Sequence, residues 1–363
     1  MLTQEEKTQI VLDQIGFVSV PQNKISDLVK DDVNGGELFM ILGTLVQEGK
    51  IAMTMGPKGP EFSRKWNQAI DEERKALSKE LNSRFGEETI FYPRFDGYVA
   101  NIEDNFVGDN YLDCLQSYGE LSHEYVKWHR NPKSGVVYPP KMHALNSSSV
   151  LTCNILAGLG LDPRQIQYAS EYQIIASEPL KDKPSELSDP KTFFEAIVSY
   201  TDSVDFIQTS FLESFYQPFR QSMWAYQFGD RYLFDNEEAI SKWREFARYV
   251  NGVHFDSYQA FKSMLAVYND ILANEEDYKG KSINVLSINF NLGDESKYTN
   301  LKEFLVNHEK EGRKFEEVIN NFLATLPLPE GTTLSYQYLT ISDILDNLSD
   351  DVKEYVQSRY LGF

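Results

Sequence analysis

The chain has 363 residues, 41% hydrophobic and 13% aromatic, enough for two or three domains with a sizeable core and no staples. Its formal charge of −20 works against tight, autonomous nucleic-acid binding, which draws on Lys and Arg at phosphates. The polar opening MLTQEEKTQ is not a signal peptide, and no apolar run is long enough to cross a bilayer. Cys114 and Cys153 match neither a metal-ligand spacing nor a disulfide framework, so a cytoplasmic protein without a membrane partner is expected.

Glu5–Ile15 places Ile10, Val11 and Ile15 at helical spacing, and Asn23–Asp31 does the same with Ile25, Leu28 and Val29. Gly36–Glu48 is a third helix through Leu38, Phe39, Ile41, Leu42 and Leu45, and Gly49 supplies a left-handed stop. A short strand, Ile51–Met55, and a loop, MGPKGPEF, follow. This order resembles a winged-helix module over residues 1–62, which implies a third helix reading DNA in the major groove. That helix offers only Gln47 beside Glu37 and Glu48, and residues 1–60 hold five lysines, no arginine and eight acids. Base reading wants basic or amide side chains, so packing or protein contact suits the helix better.

Residues 63–140 read as mainly helical. A charged amphipathic helix, FSRKWNQAIDEERKALSKELNSRF, aligns Trp66, Ile70, Leu77, Leu81 and Phe85. Its bases (Arg64, Lys65, Arg74, Lys75, Lys79, Arg84) make either a DNA-facing stripe or a solvated face with pairs such as Glu80–Arg84. Tyr111–Arg130 is expected as one helix; His123 and His129, six residues apart on it, do not share a face and make no metal pair. The loop Pro132–Pro140, flanked by Lys133 and Lys141 and followed by His143, is a candidate substrate-contacting segment.

From residue 141 the pattern becomes α/β. Asn146–Ser149 caps a helix over Val150–Leu159, whose start either holds a phosphate or is simply capped. Gln165–Ser177 is a strand with Glu171 out of phase with Tyr168 and Tyr172. Thr192–Tyr200 and Val204–Ser210 form a hairpin across Thr201-Asp202-Ser203. Simple alternation puts Phe194, Ala196 and Val198 on one face and Phe193, Glu195 and Ile197 on the other. With Tyr200 opposite Ser203, Glu195 meets Gln208; a slip of one residue separates them, and the first register is expected. Helices over Phe211–Phe228, Asn236–Leu272 (broken near Asn251–Gly252) and Lys297–Leu326 alternate with strands over Lys281–Leu292 and Thr332–Leu339, before a closing helix Ile341–Arg359. The expected fold is therefore a mixed α/β sheet flanked by helices. Gly158-x-Gly160 lacks the rest of a dinucleotide fingerprint.

The hairpin, with a carboxylate on one strand and polar residues two apart on the next, resembles the core of PD-(D/E)XK nucleases as found in a family of type II restriction endonucleases. That family reads strand with Asp, turn, then Glu-x-Lys-x-x-Glu. Glu195 stands at the Asp, Gln208 at the first Glu, Ser210 at the Lys and Glu213 at the trailing Glu. His143–Leu159 resembles its helix before the sheet, and Glu171 its upstream glutamate; the resemblance covers roughly residues 140–345. It implies Mg²⁺ held by Glu171, Glu195 and Gln208, catalysis by Glu195, Gln208, Ser210 and Glu213, DNA as substrate, and a protein partner or homodimer. The departures bear on chemistry: Gln208 offers a hard cation only a neutral carbonyl, and Ser210 cannot supply a lysine's charge. Three readings stay open: a metal-dependent nuclease, a nuclease-derived binding or scaffold protein, and an unrelated α/β protein whose hairpin only mimics the pattern.

Overall fold

A computed structural model describes residues 2–15, 19–57, 59–64, 68–85, 89–92, 94–95, 97–107, 111–131, 135–174, 191–212, 232–247, 250, 253–293 and 295–361. Its first module is built by α1 (Gln4–Asp13), β1 (Val20–Pro21), α2 (Gln22–Val29), α3 (Gly35–Gln47), β2 (Ile51–Gly56) and β3 (Gly59–Arg64). Thr3 and Asn34 start α1 and α3 with reciprocal capping boxes through Glu6 and Glu37. Gly49 turns the chain out of α3 at φ 73°, the left-handed conformation that glycine adopts without a Cβ clash. The strands pair antiparallel in the order β1-β3-β2. Val11, Ile25, Leu38, Ile41, Leu42, Leu45, Ile51 and Phe62 close a core of their own.

The stretch expected as one helix from Phe62 instead gives its first residues to β3, where Phe62 is buried against the three helices. Helix α4 (Gln68–Ser83) follows and buries Ile70, Leu77 and Leu81. The next helix is also shorter than its sequence suggests: α5 (Tyr111–Leu121) stops before the histidines. His123 sits in a 3-10 turn and His129 on β4 (His129–Arg130), which pairs with β5 (Val137–Tyr138). Ring packing explains the break. Trp128 meets Tyr92 and Phe95 edge-on, and His129 stacks on Tyr138. These contacts outweigh the weak helix propensity of a His-, Tyr- and Val-rich stretch.

The third part is the sheet. α6 (Ser148–Gly158) leads into β6 (Ile166–Gln173), β7 (Lys191–Ser199) and β8 (Ser203–Ser210). α7 (Glu237–Ala247), α8 (Ser257–Ala273) and the single turn α9 (Glu275–Tyr278) precede β9 (Ser282–Asn289). α10 (Thr299–Leu323), β10 (Thr333–Thr340), α11 (Ile341–Ile344) and α12 (Asp350–Val356) complete the chain. The closing segment is thus two short helices, not one. The sheet order is β10-β9-β8-β7-β6; β6, β7 and β8 run antiparallel, while β8, β9 and β10 are parallel.

Each face of the sheet buries its own cluster. Ala196, Val198, Ile207 and Ile288 pack with α5, α6 and α12 through Tyr118, Val150, Leu151 and Val352. Phe194, Ile197, Phe206, Val285 and Tyr336 pack with α7 and α8 through Trp243, Phe261, Leu265 and Tyr268. Helix α10 passes the β10 edge, so Leu301 and Phe304 join the first cluster and Phe315 and Ile319 the second. Residues Ile70, Leu77 and Tyr118 share the first cluster with the strands, so the central helical region and the sheet form one core. Cys114 on α5 and Cys153 on α6 are buried there and joined as a disulfide, Cα–Cα 6.6 Å. Neither cysteine's position marks the bond, because the pairing depends on which helices pack side by side. The argument from unpaired cysteines to a reducing compartment loses its ground.

Candidate functional site

The hairpin takes the expected register: Ser199 faces Val204, Ala196 faces Ile207, and the Tyr200 amide donates to the Ser203 carbonyl at 2.8 Å. Alternation nonetheless fails inside β7. Phe194 and Ile197, three apart, face the same cluster, and Phe193 and Ala196 both face the other. One extra residue, Glu195, absorbs the slip, so the simple two-face assignment of this strand is corrected. The neighbouring strand carries a matching defect. Tyr168 pairs with Ala196 and Ser170 with Phe194, leaving Ala169 opposite Glu195. Ala169 has φ 56°, the one positive value among described non-glycine residues. That left-handed conformation costs an alanine about 1–2 kcal/mol and marks a strained point in the sheet.

The β7–β8 ladder ends at Ala196 and Ile207, at the edge of this bulge. Two side chains span the gap beyond it. Glu195 Oε2 accepts the Thr209 backbone N–H at 3.1 Å, and Gln208 Nε2 donates to the Phe193 carbonyl at 2.7 Å. In an unbroken antiparallel ladder the Thr209 amide would donate to β7 backbone; here a carboxylate receives it. Glu195 and Gln208 are therefore brought together, and both reach for main chain.

Helices α5 and α6 hold the bulge from one side. The Tyr118 hydroxyl donates to the Glu195 carbonyl at 3.2 Å. Burial first, and then the negative charge of Glu195, push the Tyr118 phenol well above its usual range, so it stays a protonated donor. Thr152 Oγ1 donates to Thr209 Oγ1 at 2.6 Å, and Ser148 Oγ accepts the Phe211 amide at 3.3 Å. Ser147 caps α6 through the Val150 amide. The start of α6 thus clamps the end of β8 with hydroxyls. Tyr118, Thr152, Thr209 and Ala169 are the parts that sequence reasoning missed. Ser and Thr at the head of a helix were visible as a cap, but nothing marked them as neighbours of β8.

The remaining candidates lie apart or out of view. Glu171, opposite Phe193 on β6, is exposed, and its Oε2 pairs with Lys191 Nζ at 2.8 Å. Ser210 is the last residue of β8, in register with Asn289 on β9. Glu213, the helix expected over Phe211–Phe228 from its third residue on, and Lys133 lie outside the described residues. Lys141 pairs with Glu124. His143 bonds the Val99 carbonyl through Nδ1 at 2.8 Å, and burial holds its pKa below the usual value; with His123 and Lys127 it lines a shallow cleft on the outer side of α5. Among the described residues, no group of three or more His, Cys, Asp or Glu is placed to hold a metal ion. No described helix is long and apolar enough to cross a membrane.

The fold and this hairpin define an α/β protein with a five-stranded mixed sheet between helical layers, appended to a separate three-helix, three-stranded module. Comparison of the chain with family models, with curated proteins and with solved structures gives no match.

Proposed function

We propose that this chain is a nuclease-derived protein that binds rather than cuts, its hairpin site given over to holding the sheet together. The observation that carries the reading is the use of Glu195 and Gln208, the two residues at the nuclease-motif positions, as bridges to the Thr209 amide and the Phe193 carbonyl. Strand order favours the nuclease descent: an antiparallel hairpin set in a mixed sheet, entered from a capped helix, is the layout that the resemblance requires.

The donor set argues for loss of chemistry. Mg²⁺ wants several anionic oxygens facing one point. Glu171 is neutralised by Lys191, Glu195 already receives an N–H, and Gln208 carries no charge. As they stand these residues do not fit a hard dication, and Ser210 offers no cation to a developing oxyanion. The charge of −20 further disfavours a DNA grip without a concentrated basic patch.

The test is nicking of supercoiled plasmid in Mg²⁺ or Mn²⁺. The expected result is no nicking by the natural chain. Metal-dependent nicking that Glu195→Ala abolishes would overturn the reading and restore a working nuclease. A gain of nicking in Gln208→Glu with Ser210→Lys would support the descent, because it would show the scaffold still competent.

A further inference from the structure

Five aromatic rings, Tyr92, Phe95, Tyr98, Trp128 and Tyr138, belong to none of the three hydrophobic cores. They pack on one another instead. Trp128 meets Tyr92 at 5.1 Å and Phe95 at 5.9 Å between ring centroids. Phe95 meets Tyr98 and Tyr138, and Tyr138 stacks on His129 across the β4–β5 ribbon. At the other end Tyr92 lies 5.7 Å from His143, which lines the cleft beside α5 with His123 and Lys127. Ring contacts thus run unbroken from the cleft to the ribbon. Trp128 is held edge-on by two neighbours and is still 48% exposed. A ring fixed in place and open to solvent is a stacking surface with little freedom left to lose on binding.

The charge here is opposite to that of the chain. Residues 122–143 hold Lys127, Arg130, Lys133 and Lys141 against one acid, Glu124, in a protein of charge −20. Glu124 is taken up by Lys141. Lys127, Arg130 and, next to Phe95 in the chain, Arg94 are exposed and make no ion pair among the described residues. The acid lining the cleft, Glu120, accepts a hydrogen bond from Gln116 at 3.1 Å. We propose that the cleft and the aromatic row beside it bind a single-stranded polynucleotide, with phosphates at Lys127 and Arg130 and bases on Trp128 and the rings around it. Unpaired bases offer flat faces to exposed rings, and their backbone supplies the negative charge. A duplex hides those faces in its own stack, and an acidic peptide brings the charge without the rings. The region also supplies the local basic patch that so acidic a chain needs to hold nucleic acid. The inference rests on the binding reading above and names what is bound.

The test uses the full chain in EDTA with short fluorescein-labelled oligothymidylate and oligouridylate, read by anisotropy. Binding of at least one is expected, and the tighter of the two names the sugar. Trp128→Ala should weaken it by about tenfold, with Trp128→Phe recovering most of the loss. Lys127→Gln with Arg130→Gln should flatten the dependence of log affinity on log salt by about 1.4, at about 0.7 per phosphate contact of a single strand. Both bases are exposed, so this variant keeps the fold, which circular dichroism checks. No binding of either oligonucleotide would overturn the proposal, as would binding that these substitutions leave unchanged. So would equal displacement by duplex DNA or by polyglutamate, which would make the surface a general anion patch or a seat for an acidic protein. The plasmid assay reads cutting and this one reads binding without metal, so the surface and the loss of cutting fail separately.

Discussion

Replacing Glu195 by alanine separates a sheet-holding role from a catalytic one by the sign of a stability change. In the structure its carboxylate receives the Thr209 amide beside the bulge opposite Ala169. A hydrogen bond to a charged acceptor contributes about 1.5–3 kcal/mol, and the orphaned amide adds a desolvation cost where water does not replace the carboxylate. Glu195→Ala should therefore destabilise the fold by about 2–3 kcal/mol, a large share of a typical total of about 5–15 kcal/mol. Gln208→Ala removes a neutral bond and should cost about 1 kcal/mol. The double variant should fall short of the sum, since both side chains span one gap. The assay is urea unfolding followed by far-ultraviolet circular dichroism in EDTA, with equal slopes required before midpoints are compared. A site kept for catalysis behaves the other way: a metal-binding carboxylate in the metal-free protein is strained or repelled, and its removal is neutral or stabilising. Unchanged or raised stability in Glu195→Ala would refute the bridging role.

Other consequences concern the two cores. A Cβ on Gly312 of α10 would lie 2.2 Å from the Tyr338 ring, which is 1% exposed and cannot swing away. Gly312→Ala should then lose about 1–3 kcal/mol where a helical Gly→Ala otherwise gains about 1, and a raised melting temperature would contradict that contact. His308 is buried with Nδ1 against the Tyr338 hydroxyl, and burial pulls its pKa from 6.5 to about 4. The folded chain refuses a proton that the unfolded chain accepts, so the stability that His308 lends is complete above pH 6.5 and lost as pH falls to about 4. The gap corresponds to about 3 kcal/mol, and His308→Gln should flatten unfolding free energy against pH in that window. Glu311, held low by the His254 side chain and by the Phe255 and His254 amides against an opposing effect of burial, adds a further loss below pH 4.5 that His308→Gln leaves intact. Reduction of the Cys114–Cys153 bond, 39 residues apart, should lower stability by about 4 kcal/mol on chain-entropy grounds; a midpoint unmoved by dithiothreitol would show that the thiols are unbridged.

The strands and their register were legible because Thr201-Asp202-Ser203 is good turn chemistry and both flanks are rich in β-formers. The bulge was not. Phe193 and Phe194 are both apolar, so a slip of one residue at Glu195 leaves no break in the hydrophobic pattern. Ala169 hides its partner defect equally well, since only glycine or asparagine advertises a left-handed position. The early end of α5 was masked for a similar reason: Tyr125, Val126 and Trp128 sit at spacings a helix also accepts, and only the contacts of Trp128 with Tyr92 and Phe95 and of Tyr125 with Tyr118 decide the matter. Glu171 and Glu195 read as two acids of one sheet, but whether they act together depends on Lys191, whose reach across the strand pair is a tertiary fact.

The bulge also bears on the descent proposed above. A strand pair whose task was only to hold a sheet would continue its ladder and spare the left-handed alanine. Instead β6 and β7 each carry an extra residue at one level, and the ladder to β8 stops there. Such defects are kept where a side chain must be re-aimed. The side chain re-aimed is Glu195, beside the hydroxyl-bearing start of α6 and a buried tyrosine. Under the proposed nuclease descent, this bulge would be the remnant of a site whose carboxylate is now bonded to main chain. Gln208→Glu with Ser210→Lys tests that descent: metal-dependent nicking by the double variant supports it, and no nicking leaves the bulge a feature of the sheet alone.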